Sequence, residues 1–345
     1  MAYSCRQDSA IIKNVEKCGI IQQGVKSMKE QRSPITGIMN KVAGGIVLVP
    51  MFVVSIINTF APKLLNPGGF TSAFFASSST PFIISVLLFI AGTQLDVREM
   101  GPALKRGGLL SITRVLIGIL AEVIVLALAG PKGFLSVSAL ALVIGLLSCN
   151  PGVYMAVCQE HGDRHDIPGF GIMNLVPVPA IPVILFGFAS GAGVDYMSLV
   201  TTIIPFLLGM LFGNIDPSFT KMVSGGTPVF LFFMGITCGS TINWFTLFSQ
   251  LGGGILLSIL YFVISLPIML FVDRVILKRP GYAAASMTSM SPVSIIMPAA
   301  VAEAVPEYAP FADTAAAQIA LAVAITSILT PFICNWVLKK WGGAQ

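Results

Sequence analysis

The sequence predicts an all-α integral membrane protein of about ten transmembrane helices, arranged as two inverted five-helix repeats. Three observations lead to this fold class: the composition, the recurrence of apolar stretches and the uneven placement of basic residues. Hydrophobic residues make up 55% of the 345 positions and charged residues only 10%, and the mean hydropathy is +0.88. A soluble chain carries about a quarter charged residues, because its surface faces water. This chain is therefore expected to expose most of its surface to lipid.

Apolar stretches of about 20 residues, each long enough to cross a hydrocarbon core of roughly 30 Å, recur along the chain. The ten predicted spans are 43–61, 72–95, 108–129, 134–160, 168–190, 197–214, 225–243, 252–272, 282–305 and 314–337. With a cytoplasmic amino terminus, all but three of the 20 Lys and Arg lie on the cytoplasmic side. Lys63 and Lys132 lie on the opposite side, and Arg114 lies within a span. This bias predicts that both termini are cytoplasmic, and an odd number of spans would destroy it.

The residues before the first span form a separate region, 1–40. They are rich in basic residues and contain no apolar run long enough for a signal peptide or a span. Their few apolar side chains fit either a short amphipathic helix on the membrane surface or a mobile tail. We expect no transport role for this cytoplasmic tail.

An internal repeat divides the rest of the chain into halves, 41–192 and 193–341. The runs that begin at Thr80-Pro81 and Thr227-Pro228 align without a gap and end in similar polar residues. Two pairs of prolines share a second constant offset: Pro50 with Pro205, and Pro62 with Pro217. Since each half contains five predicted spans, the second half enters the membrane from the opposite side. This is the inverted-topology repeat of many secondary transporters.

Two predicted spans are interrupted at matching places in the repeat. Span 4 contains Asn150-Pro151-Gly152, and span 9 contains Ser291-Pro292. Proline removes a backbone donor and suits the first position of a new helix, and Asn and Ser are good N-caps. We therefore predict that helices 4 and 9 are broken and cross near the midplane of the membrane. The amino termini of their second halves would carry partial positive charge and favour an anion.

Polar residues at the two breaks form the predicted substrate site. Their hydroxyl, amide and backbone groups are suited to hydrogen bonds with a polyhydroxylated anion. They are Ser148, Asn150, Gly152, Ser286, Thr288, Ser289, Ser291 and Ser294. Kinks at proline, with nearby Ser or Thr, also occur in purely structural membrane helices, and that interpretation stays open here.

Three ionisable residues within the predicted spans are further candidates, since buried charge in a membrane is costly and usually functional or paired. Arg114 fits either a contact with a substrate carboxylate or a side chain that extends to the interface. Glu122 lies near the middle of span 3 and fits either a proton carrier or a structural partner. Glu303 follows the break in span 9 and fits either proton coupling or surface exposure. No cofactor is expected beyond the proton as coupling ion.

Several other functions are not expected from the sequence. The six cysteines show no pairing pattern, so neither a disulfide framework nor a metal site is predicted. The polar group Glu160, His161, Asp163 and His165 fits a solvated loop better than a metal site. Basic residues are not gathered on a soluble module, so no nucleic-acid partner is expected. No HExxH or Gly-x-Ser-x-Gly motif is present, and we predict that the protein is not an enzyme.

Three stretches resemble the 2-keto-3-deoxygluconate permeases of bacterial inner membranes: 44–50, 212–217 and 302–306. The Asn150 break, followed by Gly152-Val153-Tyr154, is also similar to that family, and the resemblance extends over roughly 38–340. It implies proton-coupled uptake of 2-keto-3-deoxygluconate, a small anionic sugar acid, by a multi-pass protein of the inner membrane. It also implies the fold of a wider superfamily, in which spans 4 and 9 cross. A cation/proton antiporter and a sodium-coupled organic-anion symporter of related fold remain alternatives, and the oligomeric state is not predicted.

Overall fold

The computed structural model describes residues 34–39, 45–97, 101, 104–162, 166, 169–178, 180–191 and 196–342. The chain divides into two units. In the unit 1–41, the described residues form one short helix, α1 (Pro34–Met39). The unit 42–345 contains all the other described elements.

The first half of the larger unit is helical throughout its described residues, apart from short turns and one isolated bridge between Phe134 and Val137. Its α-helices are α2 (Gly45–Phe60), α3 (Gly69–Phe75), α4 (Thr80–Thr93), α5 (Leu109–Ala129), α6 (Ala139–Leu147), α7 (Pro151–His161), α8 (Gly169–Met173) and α9 (Ala180–Ala189).

The second half contains eight described α-helices, joined by turns and short 3₁₀ and π segments. They are α10 (Tyr196–Ile215), α11 (Pro217–Ser224), α12 (Thr227–Gly239), α13 (Trp244–Ser249), α14 (Leu251–Phe271), α15 (Tyr282–Ser286), α16 (Met297–Ala304) and α17 (Ala312–Trp341). The aligned Thr-Pro pairs of the sequence repeat are the first residues of α4 and α12.

Four helical stretches of the described residues are long and apolar enough to cross a membrane: 104–132, 139–158, 251–276 and 306–341. The second stretch contains α6 and most of α7, with the interruption between them. Two bent pairs, α3 with α4 and α11 with α12, raise this number to six if each pair is one span. The protein is thus an all-helical, multi-pass membrane protein. Several predicted spans, including span 9, are divided into helices too short to meet this length criterion, so the ten-span arrangement stays a prediction.

Glycines set the distance between two pairs of helices, α4 with α10 and α2 with α12. A Cβ atom on Gly209 or Gly213 would collide with the α4 backbone at Phe89 or Thr93. On α12, Gly235 likewise faces the backbone of α2. Small residues at membrane helix contacts allow such close approach, where dispersion contacts replace the hydrophobic effect.

Helix α6 lies at the centre of a second group of helices and positions the first break. All nine of its residues are buried, and its sequence is apolar on every side, as expected for a helix with no solvent-facing stripe. It packs against α5, α14, α16 and α17. By contrast, α5 exposes Leu116, Leu120 and Val123, as a helix that faces lipid would.

Candidate functional site

The two predicted interruptions are present, and they lie against each other. The first separates α6 from α7 at residues 148–150, and the second separates α15 from the 3₁₀ turn Pro292–Ile295 at residues 287–291. The hydroxyl of Ser148, which is 1% exposed, accepts a 2.8 Å hydrogen bond from the backbone N–H of Ser291. It also accepts a 2.6 Å hydrogen bond from the hydroxyl of Ser294. One buried side chain therefore joins the two breaks.

The carbonyl ends of α6 and α15 share Tyr261 as a partner, and Arg114 binds the second of them. The Tyr261 hydroxyl lies within hydrogen-bond distance of the carbonyls of Ser148 (3.0 Å) and Met287 (3.2 Å). Arg114 donates to the same Met287 carbonyl at 2.6 Å, and its guanidinium lies 5.2 Å from the centroid of the Tyr261 ring. Carbonyl ends of helices carry partial negative charge. The buried cation of Arg114 therefore stabilises the place where these two helix ends approach each other.

The amino termini after the two breaks are built differently. The Asn150 side chain accepts a 3.0 Å hydrogen bond from the N–H of Gly152, and Pro151 is the first residue of α7. The predicted N-cap is confirmed there. Among the described contacts, the Ser291 side chain makes no capping hydrogen bond, so the second predicted cap is wrong. Its physical reason is the 3₁₀ turn, in which the N–H of Ser294 is already bonded to the Ser291 carbonyl at 3.0 Å.

A cavity of about 940 Å³ opens beside the two breaks. Asn150 and Gly152 line it from the first break and Ser291 from the second. Apolar side chains form most of the remaining wall. Further polar or ionisable residues line it at wider spacing: Gln94, Glu160, His161, Asn174, Ser224, Thr227, Ser327 and Asn335. An apolar pocket of roughly 300–1,000 Å³ with a few polar groups is typical of a small-molecule site.

The other predicted substrate residues are buried behind the cavity wall. Ser148 and Ser294 form the joint between the breaks. The Thr288 hydroxyl donates to the Ala285 carbonyl at 2.6 Å, and the Ser286 hydroxyl donates to that of Ala283 at 2.7 Å. Further members of the predicted site, Ser289 and Arg114, are fully buried.

The two acidic candidates differ in burial. The Glu122 side chain is 5% exposed, and within the described part of the chain its Oε1 has no hydrogen-bond partner. Glu303 is exposed on α16. Neither residue is among those that line the cavity.

The polar group at the end of α7 lies only partly within the described residues. Glu160 and His161 line the cavity, with 3.8 Å between Glu160 Oε1 and His161 Nε2. Asp163 and His165 lie outside the described residues. In the described ranges there is no cluster of three His, Cys, Asp or Glu side chains that could hold a metal.

Two hydroxyls of the last helix support the second break, and sequence analysis missed them. Thr326 Oγ1 accepts a 3.1 Å hydrogen bond from the Met290 N–H, and Thr330 Oγ1 donates a 2.7 Å hydrogen bond to the Thr288 carbonyl. The two threonines are four residues apart and therefore lie on one face of α17. Their four-residue spacing predicts that the two side chains share a face of the helix, but it does not indicate which segment that face contacts.

Sequence analysis also missed a buried ionic cluster near the end of α7 and the start of α15, the ends that lie away from the two breaks. Asp166 is buried and contacts Arg106 at 3.3 Å, Arg279, and the Tyr282 hydroxyl at 2.6 Å. Burial lowers the pKa of Arg279, but the carboxylates of Asp273 and Asp166 raise that pKa by more, so its guanidinium stays charged. These contacts join loops that are distant in sequence and hold the outer ends of the two broken helices together.

Comparisons with known proteins identify a family and several relatives that the chain resembles over most of its length. The profile of the 2-keto-3-deoxygluconate permease family (KdgT) matches residues 36–343. The chain is 33% identical over 302 residues to 2-keto-3-deoxygluconate permease 1 of Salmonella typhimurium, with 88% of this chain and 95% of that relative covered. It is 30% identical over 312 residues to the 2-keto-3-deoxygluconate permease of Bacillus subtilis, with 89% and 94% covered.

Proposed function

Because the chain belongs to the 2-keto-3-deoxygluconate permease family, we propose that it is a secondary transporter that takes up 2-keto-3-deoxygluconate or a closely related sugar acid with protons. Family membership makes the protein a transporter of sugar acids and not an enzyme. The observation that carries the finer proposal is the cavity at the place where the two helix breaks meet.

In the proposed site, the sugar acid binds with its carboxylate near the amino terminus of α7. Within the described residues, no Lys or Arg lines the cavity, so backbone N–H groups and the partial charge of the helix end are the available anion-binding groups. Asn150, Gly152 and Ser291 would contact the substrate directly. Arg114 and the buried hydroxyls behind the wall would hold the breaks in shape. Gln94 and Asn335, whose amide side chains line the cavity, would bind the sugar hydroxyls.

For the transport cycle we propose a protein of the inner membrane with ten spans in two inverted repeats. Both of its termini would lie in the cytoplasm. The helices that carry the breaks would move against the group formed by α2, α4, α10 and α12, which would expose the cavity to each side in turn. The cavity is lined by Ile46 at the start of α2, His161 at the end of α7 and Leu338 near the end of α17. With cytoplasmic termini, all three lie on the cytoplasmic side, which supports an inward-facing state.

We propose Glu122 as the proton carrier in preference to Glu303. An ionisable side chain that is buried at membrane depth is usually functional or paired, and Glu122 is buried whereas Glu303 is exposed. A carboxyl that is alternately neutral and charged at such a site would couple protonation to the movement of α5.

Uptake by proteoliposomes tests both the substrate and the coupling ion. An imposed inward proton gradient is expected to accumulate labelled 2-keto-3-deoxygluconate above its equilibrium level, while a sodium gradient alone leaves uptake at the passive level. Accumulation driven only by sodium would instead establish the sodium-coupled alternative. Within this assay, Glu122→Gln is expected to abolish accumulation but to preserve substrate exchange, with Glu303→Gln as the matched control. The reverse pattern would assign coupling to Glu303.

A further inference from the structure

Two of the helices that are long enough to span a membrane run parallel and end side by side. At their starting ends, the Gln318 side chain near the beginning of α17 donates a 2.9 Å hydrogen bond to the side chain of Gln250, just before α14. At their far ends, Arg274 in the π-helical turn after α14 stacks on Trp341, with 3.8 Å from the guanidinium carbon to the ring centroid. Both far ends therefore leave the membrane on the same side.

A cluster of cations and tryptophans occupies this shared boundary. Trp336 and Trp341 pack edge to face, with 5.3 Å between their ring centroids. Lys340 Nζ lies 4.9 Å and 4.8 Å from the centroids of these two rings. Lys339 is adjacent, and Arg274 completes the group from the neighbouring helix. We call these five residues the boundary cluster.

One face of α17 changes from apolar to cationic toward the boundary. Phe332, Trp336 and Lys340 follow one another at intervals of four residues and so lie on the same face. All three are exposed, with Phe332 at 69% and Trp336 at 50%. The order along the face is the phenyl ring of Phe332, then the indole ring of Trp336, a side chain that favours the membrane interface, then the ammonium group of Lys340. This order matches the acyl chain, glycerol region and headgroup of one phospholipid.

The charge of the boundary cluster is not compensated within the described part of the chain. No carboxylate there forms an ion pair with Arg274, Lys339 or Lys340. The acidic residue next to Arg274, Asp273, is buried and lies 3.8 Å from Arg279 instead. The cations therefore remain available to an external anion, and membrane phosphates are the anions present at that depth.

We propose that the boundary cluster is a binding site for the headgroup of an anionic phospholipid, whose acyl chain lies along Phe332. The guanidinium of Arg274 and the ammonium groups of Lys339 and Lys340 bind the phosphate and the added negative charge of the headgroup. Trp336 and Trp341 hold the cations in place and contact the glycerol region. This inference depends on the membrane setting of the two spans and not on the proposed substrate or coupling ion.

Fluorescence quenching by brominated lipids tests this site directly. A Trp244→Phe background leaves Trp336 and Trp341 as the fluorescent tryptophans of the chain. Brominated phosphatidylglycerol is expected to quench them with an apparent affinity at least about fivefold higher than brominated phosphatidylcholine, the effect of one basic residue at an anionic surface. In the same background, the triple variant Arg274→Gln, Lys339→Gln, Lys340→Gln should bind both lipids equally.

The matched control carries Lys63→Gln and Lys132→Gln, which remove exposed lysines from other parts of the chain and should leave the preference intact. Lys340→Gln alone, expected to reduce the preference partly, serves if the triple variant does not fold. A preference that survives the triple variant, or that is absent from the unmodified cluster, overturns the proposal. The lipid preference is also measured in inorganic phosphate and in chloride at the same ionic strength. If phosphate abolishes the preference and chloride does not, the site binds a soluble anion and the proposal is overturned.

Discussion

The two helix breaks occupy matching positions in the sequence repeat but are stabilised in different ways. The first break is capped by its own residue, since the Asn150 side chain accepts from the N–H two residues later. The second break has no such side-chain cap within the described residues. It is held instead by distant partners: Ser148, Thr326, Thr330, Tyr261 and Arg114.

The first break is therefore stabilised by contacts within its own segment, and the second by contacts from segments that are distant in sequence. A break with its own cap keeps its shape through short-range contacts, so its polar tip is available to a ligand. A break without one depends on hydrogen bonds from three other helices and from the first break. Substitutions at these contacts should therefore affect stability and transport in different proportions. The order of their stability losses tests whether the two breaks are stabilised in these different ways.

The largest loss of stability is expected from Ser148→Ala. It leaves the Ser291 N–H and the Ser294 hydroxyl without their buried acceptor, at a cost of about 2–4 kcal/mol in the free energy of unfolding. Denaturant unfolding in detergent measures this change. The control is Ser265→Ala, another buried serine, whose hydroxyl has no partner among the described residues. Equal effects of the two changes would show that the joint contributes nothing.

Thr330→Val should come next, with about 1–2 kcal/mol lost, because the buried Thr288 carbonyl loses its hydrogen bond while the shape of the side chain is kept. Thr330→Ser retains the donor and should lie closer to the wild type in the same unfolding measurement. If the valine variant is as stable as the wild type, the Thr330 hydroxyl does not support the second break, and Thr326 is the remaining contact from the last helix.

Asn150→Ala should cost about 1 kcal/mol of stability, the usual value of an N-cap, and should also reduce sugar-acid uptake. Asn150→Asp separates the two effects. Its carboxylate can still accept from the Gly152 N–H, so stability is retained, but its charge repels an anionic substrate in the cavity. Uptake by proteoliposomes is therefore expected to fall more in Asn150→Asp than in Asn150→Ser, which keeps a neutral capping side chain. Normal uptake by Asn150→Asp would place the substrate carboxylate elsewhere.

Ser291→Ala should have the smallest effect on stability, within about 0.5 kcal/mol. The bonds that Ser291 contributes to the joint and the turn use its backbone N–H and carbonyl, which alanine retains. If its hydroxyl contacts the sugar acid, the KM for uptake should rise by about 2–10-fold, the equivalent of one hydrogen bond. A destabilisation as large as that of Ser148→Ala would show that the second break does depend on its own side chain.

The features that could be predicted from the sequence are those with local causes. The apolar composition predicts the helical membrane fold, and the Asn150-Pro151 and Ser291-Pro292 pairs predict the two interruptions. The Asn150 cap needs only a neighbour two residues away. These signals require no knowledge of which helices are in contact.

The remaining features depend on contacts between distant segments. Sequence spacing could not reveal that Ser148 faces Ser291, that the threonines of α17 face the second break, or that Asp166 is buried between Arg106 and Arg279. The Ser291 cap is absent because the backbone forms a 3₁₀ turn there, in which the Ser294 N–H is bonded to the Ser291 carbonyl. The number of spans is also hard to establish from helix length alone, since span 9 is divided into Tyr282–Ser286, Pro292–Ile295 and Met297–Ala304, each too short to cross a membrane.

The joint at Ser148 also has a consequence for the order of assembly during synthesis. Ser148 and Ser291 are 143 residues apart, so at about 5–20 residues per second the ribosome needs roughly 7–29 s to make the partner of Ser148. During that interval the nascent first break must persist in the membrane without the second. Its cap at Asn150 comes from the same short segment and is complete as soon as α7 emerges. The second break, in contrast, is synthesised when its Ser148 acceptor is already in place.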